Sequence, residues 1–161
     1  MNNINYIAIN SLATSAESRD YIVHNYLKII KTIKGNVSVI DVGGSANLRV
    51  EDYTTHVLDF KPLNNKNIHY FSGDMELYDT WEPIFDYVDK NGKFDFSICS
   101  HTLEDLNAPK QVMINLQKIS NAGLIAFPSK YMEMKKWEGR SGYSLKGIII
   151  IDGFILSTIV L

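Results

Sequence analysis

The sequence predicts an α/β protein with a doubly wound, mostly parallel sheet, helices on both faces and a C-terminal antiparallel hairpin. Strand-like and helix-like segments alternate along most of the chain, a pattern typical of parallel strands joined by helical connections. The chain then closes with two apolar runs, 147–151 and 154–161, on either side of Asp152-Gly153, a pair of residues that favours a tight hairpin turn.

Each element is predicted from a local pattern of side chains. Residues 16–34 carry apolar side chains at helical spacing, which predicts an amphipathic helix. The side chains expected to face the core from this helix are Ile22, Tyr26, Ile29, Ile30 and Ile33. Further helices are predicted at 78–90 and 107–120, with a short one near 48–53, and Asn107 is expected to cap the helix that it begins. Strands are predicted at 37–42, 55–60, 68–71, 94–100 and 124–127.

The composition indicates one globular domain, because 161 residues and 18.3 kDa leave little room for a second core. The formal net charge is −2, so there is no global electrostatic reason to bind nucleic acid. The longest apolar stretch, 148–161, has 14 residues and is interrupted by Asp152, whereas a membrane helix needs about 20 apolar residues. The N-terminus is not a signal peptide and Cys99 is the single cysteine, so we expect a cytoplasmic protein without internal disulfides.

Acidic and small residues follow the ends of neighbouring predicted strands. The first strand runs into Asp41-Val-Gly43-Gly44-Ser45, the second ends at Asp59, the third is followed by Asp74, and the fourth ends in Ser100-His101. In open α/β sheets, ligands bind beyond the carboxyl ends of the strands, where the strand order reverses. The sequence therefore predicts a ligand site at these strand ends, and no group of His, Asp and Glu residues has the spacing of a metal site.

The same segments resemble the class I S-adenosylmethionine-dependent methyltransferases. The matching pieces, in order, are Val39-Ile-Asp-Val-Gly-Gly-Ser-Ala-Asn47, Val57-Leu-Asp-Phe60, Ser72-Gly-Asp-Met75 and Phe94-Asp-Phe-Ser-Ile-Cys-Ser-His-Thr-Leu-Glu-Asp-Leu106. The stretch Ser-His-Thr-Leu-Glu-Asp-Leu is similar to the pattern Ser-His-x-Leu-Glu-His-Leu of small-molecule methyltransferases. The resemblance implies a Rossmann-like fold in a single domain, 1–161, with an N-terminal helical segment (1–35), a cofactor-binding core (37–129) and the C-terminal hairpin (147–161).

The resemblance also implies a role for each residue at the strand ends, with S-adenosyl-L-methionine as the cofactor. The amino-acid end of the cofactor would lie on the glycine turn, and Asp41 would hold its ammonium group through water. Asp59 would accept hydrogen bonds from both ribose hydroxyls, and the ring of Phe60 would pack on the adenine. Asp74 would accept a hydrogen bond from the adenine amino group, and Met75 would offer its backbone amide. The implied cofactor-binding residues are Asp41, Gly43, Gly44, Ser45, Asp59, Phe60, Asp74, Met75 and Ser100.

The implied reaction is in-line methyl transfer to a small-molecule acceptor, such as a sugar or another metabolite. Alignment supplies most of the acceleration, and a general base helps where the acceptor is a hydroxyl or a protonated amine. His101 is the candidate base, and Glu104 lies three residues later, on the same face if that stretch is helical. A homodimer through the C-terminal edge is a further expectation.

Three departures from the family pattern keep other interpretations open. Ser45 and Asn47 replace the second and third glycines of the Gly-x-Gly-x-Gly turn, and Asp105 replaces a histidine. The chain could therefore be a non-catalytic binding or assembly domain with the methyltransferase fold. A nicotinamide- or nucleotide-sugar-binding Rossmann protein is a third alternative, although Leu48 stands where the nicotinamide-binding motif needs a glycine. Asp74 could also serve only to stabilise its loop.

Overall fold

The computed structural model describes residues 16–44, 52–61, 67–127, 148–151 and 154–158, the last two segments by their backbone alone. A short 3₁₀ turn, Leu103–Asp105, lies between the fourth strand and the last helix. The helices and strands, in chain order, are α1 (Ala16–Lys34), β1 (Val39–Val42), β2 (His56–Asp59), β3 (His69–Ser72), α2 (Tyr78–Asn91), β4 (Phe96–Ser100), α3 (Pro109–Ile119), β5 (Gly123–Phe127), β6 (Ile148–Ile151) and β7 (Phe154–Thr158). The predicted short helix near 48–53 and the N-terminal residues 1–15 lie largely or wholly outside the described residues.

The strands form one sheet in the order β3-β2-β1-β4-β5-β7-β6. The first five strands all pair in parallel, which confirms the predicted parallel sheet and gives a Rossmann-like arrangement. The chain moves from β1 outward to β3 and then returns to the other side of β1, so the strand order reverses between β1 and β4. Ligands bind at such a reversal in open α/β sheets.

The two C-terminal strands extend this sheet beyond β5. The backbone of β7 pairs in parallel with β5, from Gly123↔Phe154 to Phe127↔Thr158. The backbone of β6 pairs antiparallel with β7. Residues 152 and 153, which would form the hairpin turn, lie outside the described residues, so the turn stays a prediction. The homodimer through this edge also stays a prediction.

Helices cover both faces of the sheet, and a separate apolar core lies under each face. On one face, Val23 and Leu27 of α1 pack against residues of β1 and β4 that include Val39 and Ile98. On the other face, α2 and α3 pack against the alternate residues of the strands. The side chains buried there include Ile40, Val42, Leu58, Trp81, Ile84, Val112, Leu116 and Ile119. The alternation of β1 between the two cores is the expected consequence of the strand pleat.

The predicted inner face of α1 is wrong for two of its residues. Ile29 is 58% exposed and Ile33 is 76% exposed, whereas Val23 and Leu27 are buried. Tyr26, from the same predicted set, is 37% exposed, but its ring contacts Phe96 of β4. Val23 and Leu27 are four residues apart and therefore lie one above the other on the helix. The apolar stripe of α1 is wider than its contact with the sheet, and its far margin is left in solvent. The side chain of Ile22 lies outside the described residues.

Asp95 ties the end of α1 to the start of the sheet. Its Oδ2 accepts a hydrogen bond from the Ser38 backbone N–H at 2.9 Å, and its Oδ1 pairs with the Lys34 ammonium. Burial alone would raise the pKa of Asp95, but the hydrogen bonds from Lys34 and Ser38 and the charge of Lys34 outweigh it and hold the pKa below the ordinary 3.8. These contacts hold the start of β1 next to the end of α1. None of the helices within the described residues has the length and apolarity that a bilayer span requires.

Candidate functional site

The turn after β1 is built on two glycines that leave no room for a side chain. Gly43 has a φ of 83°, and its N–H donates to the Leu58 carbonyl of β2 at 2.8 Å. A Cβ on Gly43 would collide with the Thr102 side chain, and a Cβ on Gly44 would collide with the Asp41 carboxylate. The left-handed φ and the close contacts together explain why glycine stands here. The turn brings bare backbone to the point where the strand order reverses.

Asp41 lies beneath this turn and is only 1% exposed. Its carboxylate is packed against Gly44, on the inner side of the turn. The carboxylate occupies the space that a side chain at position 44 would need. The predicted contact of Asp41 with an ammonium group through water stays a prediction. Ser45 lies outside the described residues.

Asp59 ends β2 at the same edge of the sheet and is partly exposed. Its Oδ1 accepts a hydrogen bond from the Lys61 N–H at 3.1 Å. Its backbone carbonyl accepts from the Tyr70 hydroxyl at 2.5 Å and from the Gly73 N–H at 3.2 Å. Phe60, the next residue, is 59% exposed. The chain after β2 therefore presents an anchored carboxylate beside an exposed aromatic ring.

The loop after β3 is a tight turn that carries the other predicted adenine contacts. The Asp74 Oδ1 accepts from the Glu76 N–H at 2.9 Å, and the Asp74 carbonyl accepts from the Leu77 N–H at 3.0 Å. Asp74 thus stabilises its own loop, as the simpler interpretation of the sequence expects. The side chain of Met75 is 3% exposed, and its carbonyl accepts from the Trp81 indole at 2.7 Å. The predicted role of its backbone amide stays a prediction.

Glu76, in the loop after β3, is a residue that sequence analysis missed. Its Oε1 accepts from the Ala108 N–H at 2.6 Å, and its Oε2 accepts from the Asn107 side-chain amide at 3.1 Å. The predicted cap at Asn107 is wrong: α3 begins at Pro109, Ala108 stands at the cap position, and Glu76 binds the N–H of Ala108 just before the helix. A single Glu 31 residues before Asn107 forms no local motif, so sequence spacing gives no indication of this contact.

The end of β4 carries the candidate base. His101 has a φ of 55°, which is rare outside glycine, and its N–H donates to the Ala126 carbonyl at 2.9 Å. Its Nδ1 lies 3.7 Å from Glu104 Oε1, with the two side chains 28% and 16% exposed. Ser100 Oγ and Glu104 Oε2 are buried atoms for which the described part of the chain supplies no hydrogen-bond partner. Only Leu103–Asp105 is helical, so the condition under which His101 and Glu104 were expected to share a helix face is not met. Their side chains nevertheless lie within ion-pair distance.

Cys99 is the residue before the last in β4 and is 1% exposed. Burial raises the pKa of its thiol far above the ordinary range, and the nearby charges of Asp41 and Glu104 raise it further. The thiol is therefore protonated and unreactive, as expected for a small buried side chain.

The carboxyl ends of the parallel strands form one edge of the sheet, which we call the rim. Several of the predicted residues lie along this rim, and they are spread over the ends of β1, β2, β3 and β4. The glycine turn contacts the β4 side through Thr102 and the β2 side through Leu58. Asp74 and Met75 lie farther along the rim, after β3. Across the described ranges, no three His, Cys, Asp or Glu side chains are placed to hold a metal ion.

The chain has little sequence similarity to the known proteins with which it was compared. No family model matches the chain, and no curated protein matches it. One solved structure with a similar arrangement is a short chain dehydrogenase family protein from Francisella tularensis subsp. tularensis SCHU S4, with 13% identity, 58% of this chain covered and a TM-score of 0.36. This chain spans about half (51%) of the length of that protein. The Rossmann-like assignment rests on the strand order and the parallel pairing of β1 to β5.

Proposed function

We propose that this chain is an S-adenosylmethionine-dependent methyltransferase that acts on a small-molecule acceptor. The observation that carries the proposal is the glycine turn at the strand reversal, where Gly43 and Gly44 present bare backbone above the buried Asp41. Asp59 ends the neighbouring strand, and Gly43 is hydrogen-bonded to the residue before it, Leu58. The turn and the carboxylate are therefore held next to each other by the sheet.

The residues present fit the chemical groups of the cofactor. Backbone without Cβ atoms at Gly43 and Gly44 allows close approach of an amino-acid moiety. A partly exposed carboxylate at Asp59 suits a pair of ribose hydroxyls, and the exposed ring of Phe60 suits a flat base. Asp74 keeps one carboxylate oxygen in its own turn, so its share in binding is the smaller one. Ser45, Met75 and Ser100 complete the proposed set.

When bound, the cofactor supplies a methyl group already activated on a sulfonium. The protein then needs to hold the acceptor in line with that methyl group and to exclude water. His101, directly after β4, is the proposed general base, and Glu104 is its proposed partner, because Thr102 holds the segment that carries them against the glycine turn.

Isothermal titration with S-adenosylhomocysteine tests the proposal. We expect binding to the wild-type chain and a loss of about 5- to 150-fold in Asp59→Ala, since a ribose hydroxyl pair without its acceptor costs about 1–3 kcal/mol. Asp89→Ala is the matched control, because Asp89 is an exposed carboxylate on α2, and it should bind like the wild type. No binding at millimolar ligand would contradict the proposal.

The same calorimeter separates the two alternatives. NAD that binds where S-adenosylhomocysteine does not would favour the nicotinamide-binding interpretation. Binding of neither ligand would favour the non-catalytic binding or assembly domain.

A further inference from the structure

The segment after β4 carries the imidazole of His101 and the carboxylate of Glu104 close to each other. His101 adopts a left-handed φ of 55°, a conformation that is unfavourable for a non-glycine residue. It is held there on both sides: its own N–H donates to Ala126 at the end of β5, and the next side chain, Thr102, packs on Gly43. Backbone strain of this kind persists only where the surroundings impose it. The backbone of His101 is therefore held by β5 on one side and, through Thr102, by the glycine turn on the other.

We propose that Glu104 is a positioning residue that keeps the His101 proton on Nδ1, so that Nε2 is free to accept the proton of a hydroxyl acceptor. This inference rests on the proposed function. Glu104 Oε1 lies 3.7 Å from Nδ1, within ion-pair distance but too long for a hydrogen bond. Such pairs are often long in the absence of ligand and shorten in the complex. The tautomer of a histidine is set by the partner of its other nitrogen.

The burial of the two side chains decides which of them meets the acceptor. Glu104 is 16% exposed and His101 is 28% exposed, so the imidazole is the more accessible member of the pair. Glu104 Oε2 is buried and finds no hydrogen-bond partner in the described part of the chain, so the carboxylate has few competing donors. A carboxylate with few donors of its own favours a proton on the adjacent Nδ1.

The same arrangement selects the class of acceptor. The imidazole is the outer group, and an uncharged hydroxyl would donate a hydrogen bond to its Nε2 without bringing a second positive charge beside the sulfonium of the cofactor. A protonated amine would instead place its positive charge beside the positively charged sulfonium, and the two charges would repel each other. The carboxylate also stabilises the imidazolium that forms when the ring takes up a proton. The acceptor class is therefore an alcohol or a phenol, the sugars included.

The proposed step balances without any further reactant. The acceptor oxygen forms a bond to the methyl carbon, the carbon–sulfur bond breaks and sulfur keeps its electron pair. The hydroxyl proton passes to His101 Nε2. The products are a methyl ether, a neutral thioether and an imidazolium that returns its proton to water.

Nitrogen-15 NMR of the histidine rings tests the inference without any turnover. Above pH 8, we expect His101 in the wild-type chain to carry its proton on Nδ1, and His101→Gln identifies its signals among those of His24, His56 and His69. Glu104→Ala should move the proton to Nε2, and Glu104→Gln, which keeps an acceptor oxygen, should restore the wild-type tautomer at least in part. Asp105→Ala removes an exposed neighbouring carboxylate and should leave the tautomer unchanged.

An Nε2–H tautomer in the wild type, or the same tautomer in wild type and Glu104→Ala, would overturn the inference even if S-adenosylhomocysteine binds. Absence of that binding would instead overturn the proposed function. In a second measurement, the chain is incubated with methyl-labelled S-adenosylmethionine and defined sugars, phenols and alkylamines. Label recovered on oxygen supports the acceptor class, and label recovered only on nitrogen contradicts it.

Discussion

The side chain of Thr102 packs directly on the Cα of Gly43 and fills the space that a Cβ would need. Gly43 follows β1 and Thr102 follows β4, so the contact joins the two strands between which the strand order reverses. The segment that carries His101 and the turn proposed to hold the cofactor are therefore parts of one packed unit. Disturbing either residue should affect both.

Replacing Gly43 with alanine should destabilise the protein more than the same change at Gly35. Both glycines have nearly the same φ, 83° and 81°, but nothing lies within 4 Å of a Cβ at Gly35. Gly35→Ala should cost only the left-handed backbone, about 1–2 kcal/mol. Gly43→Ala should cost a further ~1–3 kcal/mol for the collision with Thr102. Urea titration of the free energy of unfolding measures both.

The Thr102→Ala background provides the control for that collision. Because this change removes Oγ1 and Cγ2, the cost of Gly43→Ala should fall toward that of Gly35→Ala. Equal costs of Gly43→Ala in both backgrounds would show that the contact is not the cause.

Asp95→Ala should loosen the junction of α1 with β1. The change leaves the Ser38 N–H without its acceptor, and we expect a loss of about 1–3 kcal/mol in the free energy of unfolding. Hydrogen exchange at Ser38 should become faster for the same reason. Asp89→Ala, an exposed carboxylate, should change stability by less than about 0.5 kcal/mol. A Ser38 amide that stays protected would contradict the assigned contact.

Acid should destabilise the protein through His56 before most carboxylates titrate. His56 is 7% exposed at the start of β2, its Nδ1 contacts the Thr55 hydroxyl at 2.8 Å, and its ring lies among those of His69, Tyr87 and Phe94. Burial, with a smaller effect of His69, lowers its pKa from 6.5 to about 4. The unfolded chain therefore takes up the proton first. The contribution of neutral His56 to the free energy of unfolding should be fully present above pH 6.5. It should fall by up to about 3 kcal/mol as the pH drops to about 4, and below that pH it should change no further.

Urea titrations at several pH values between 7.5 and 4 measure this effect. His56→Phe removes the titrating group and should flatten the profile, whereas His24→Gln, at an exposed histidine, should leave it as in the wild type. A wild-type slope in His56→Phe would assign the acid sensitivity to other groups.

Glu76→Ala should release the first turn of α3 from the loop after β3. The change removes the acceptors of the Ala108 N–H and of the Asn107 amide, and the loss of hydrogen bonds to a carboxylate costs about 1–3 kcal/mol. Asn107→Ala removes only one of the two hydrogen bonds and should cost less. The free energies of unfolding of the two variants test this order, and a larger cost for Asn107→Ala would contradict it.

The strands and helices could be predicted because each carries its own local pattern. The buried run 37–42 and the periodic segment 78–90 correspond to β1 and α2 within a few residues. The glycine turn and the acidic strand ends could be predicted as a rim because parallel strands end at one edge. Such local patterns do not depend on the rest of the chain.

Contacts between distant segments could not be predicted in this way. The face that α1 buries depends on where it rests on the sheet, and its apolar stripe is too wide to identify Val23 and Leu27 as the contact. The hydrogen bond from the Ala108 N–H to Glu76 joins two loops. The left-handed φ of His101 depends on its hydrogen bond to Ala126. Each of these features depends on packing rather than on local spacing.

A crystal structure of the chain with S-adenosylhomocysteine tests the proposed function most directly. We expect the amino-acid part of the ligand on the backbone of Gly43 and Gly44, and its ribose hydroxyls within hydrogen-bond distance of the Asp59 carboxylate. A ligand bound elsewhere on the chain, with this turn and Asp59 in contact only with solvent, would contradict the account.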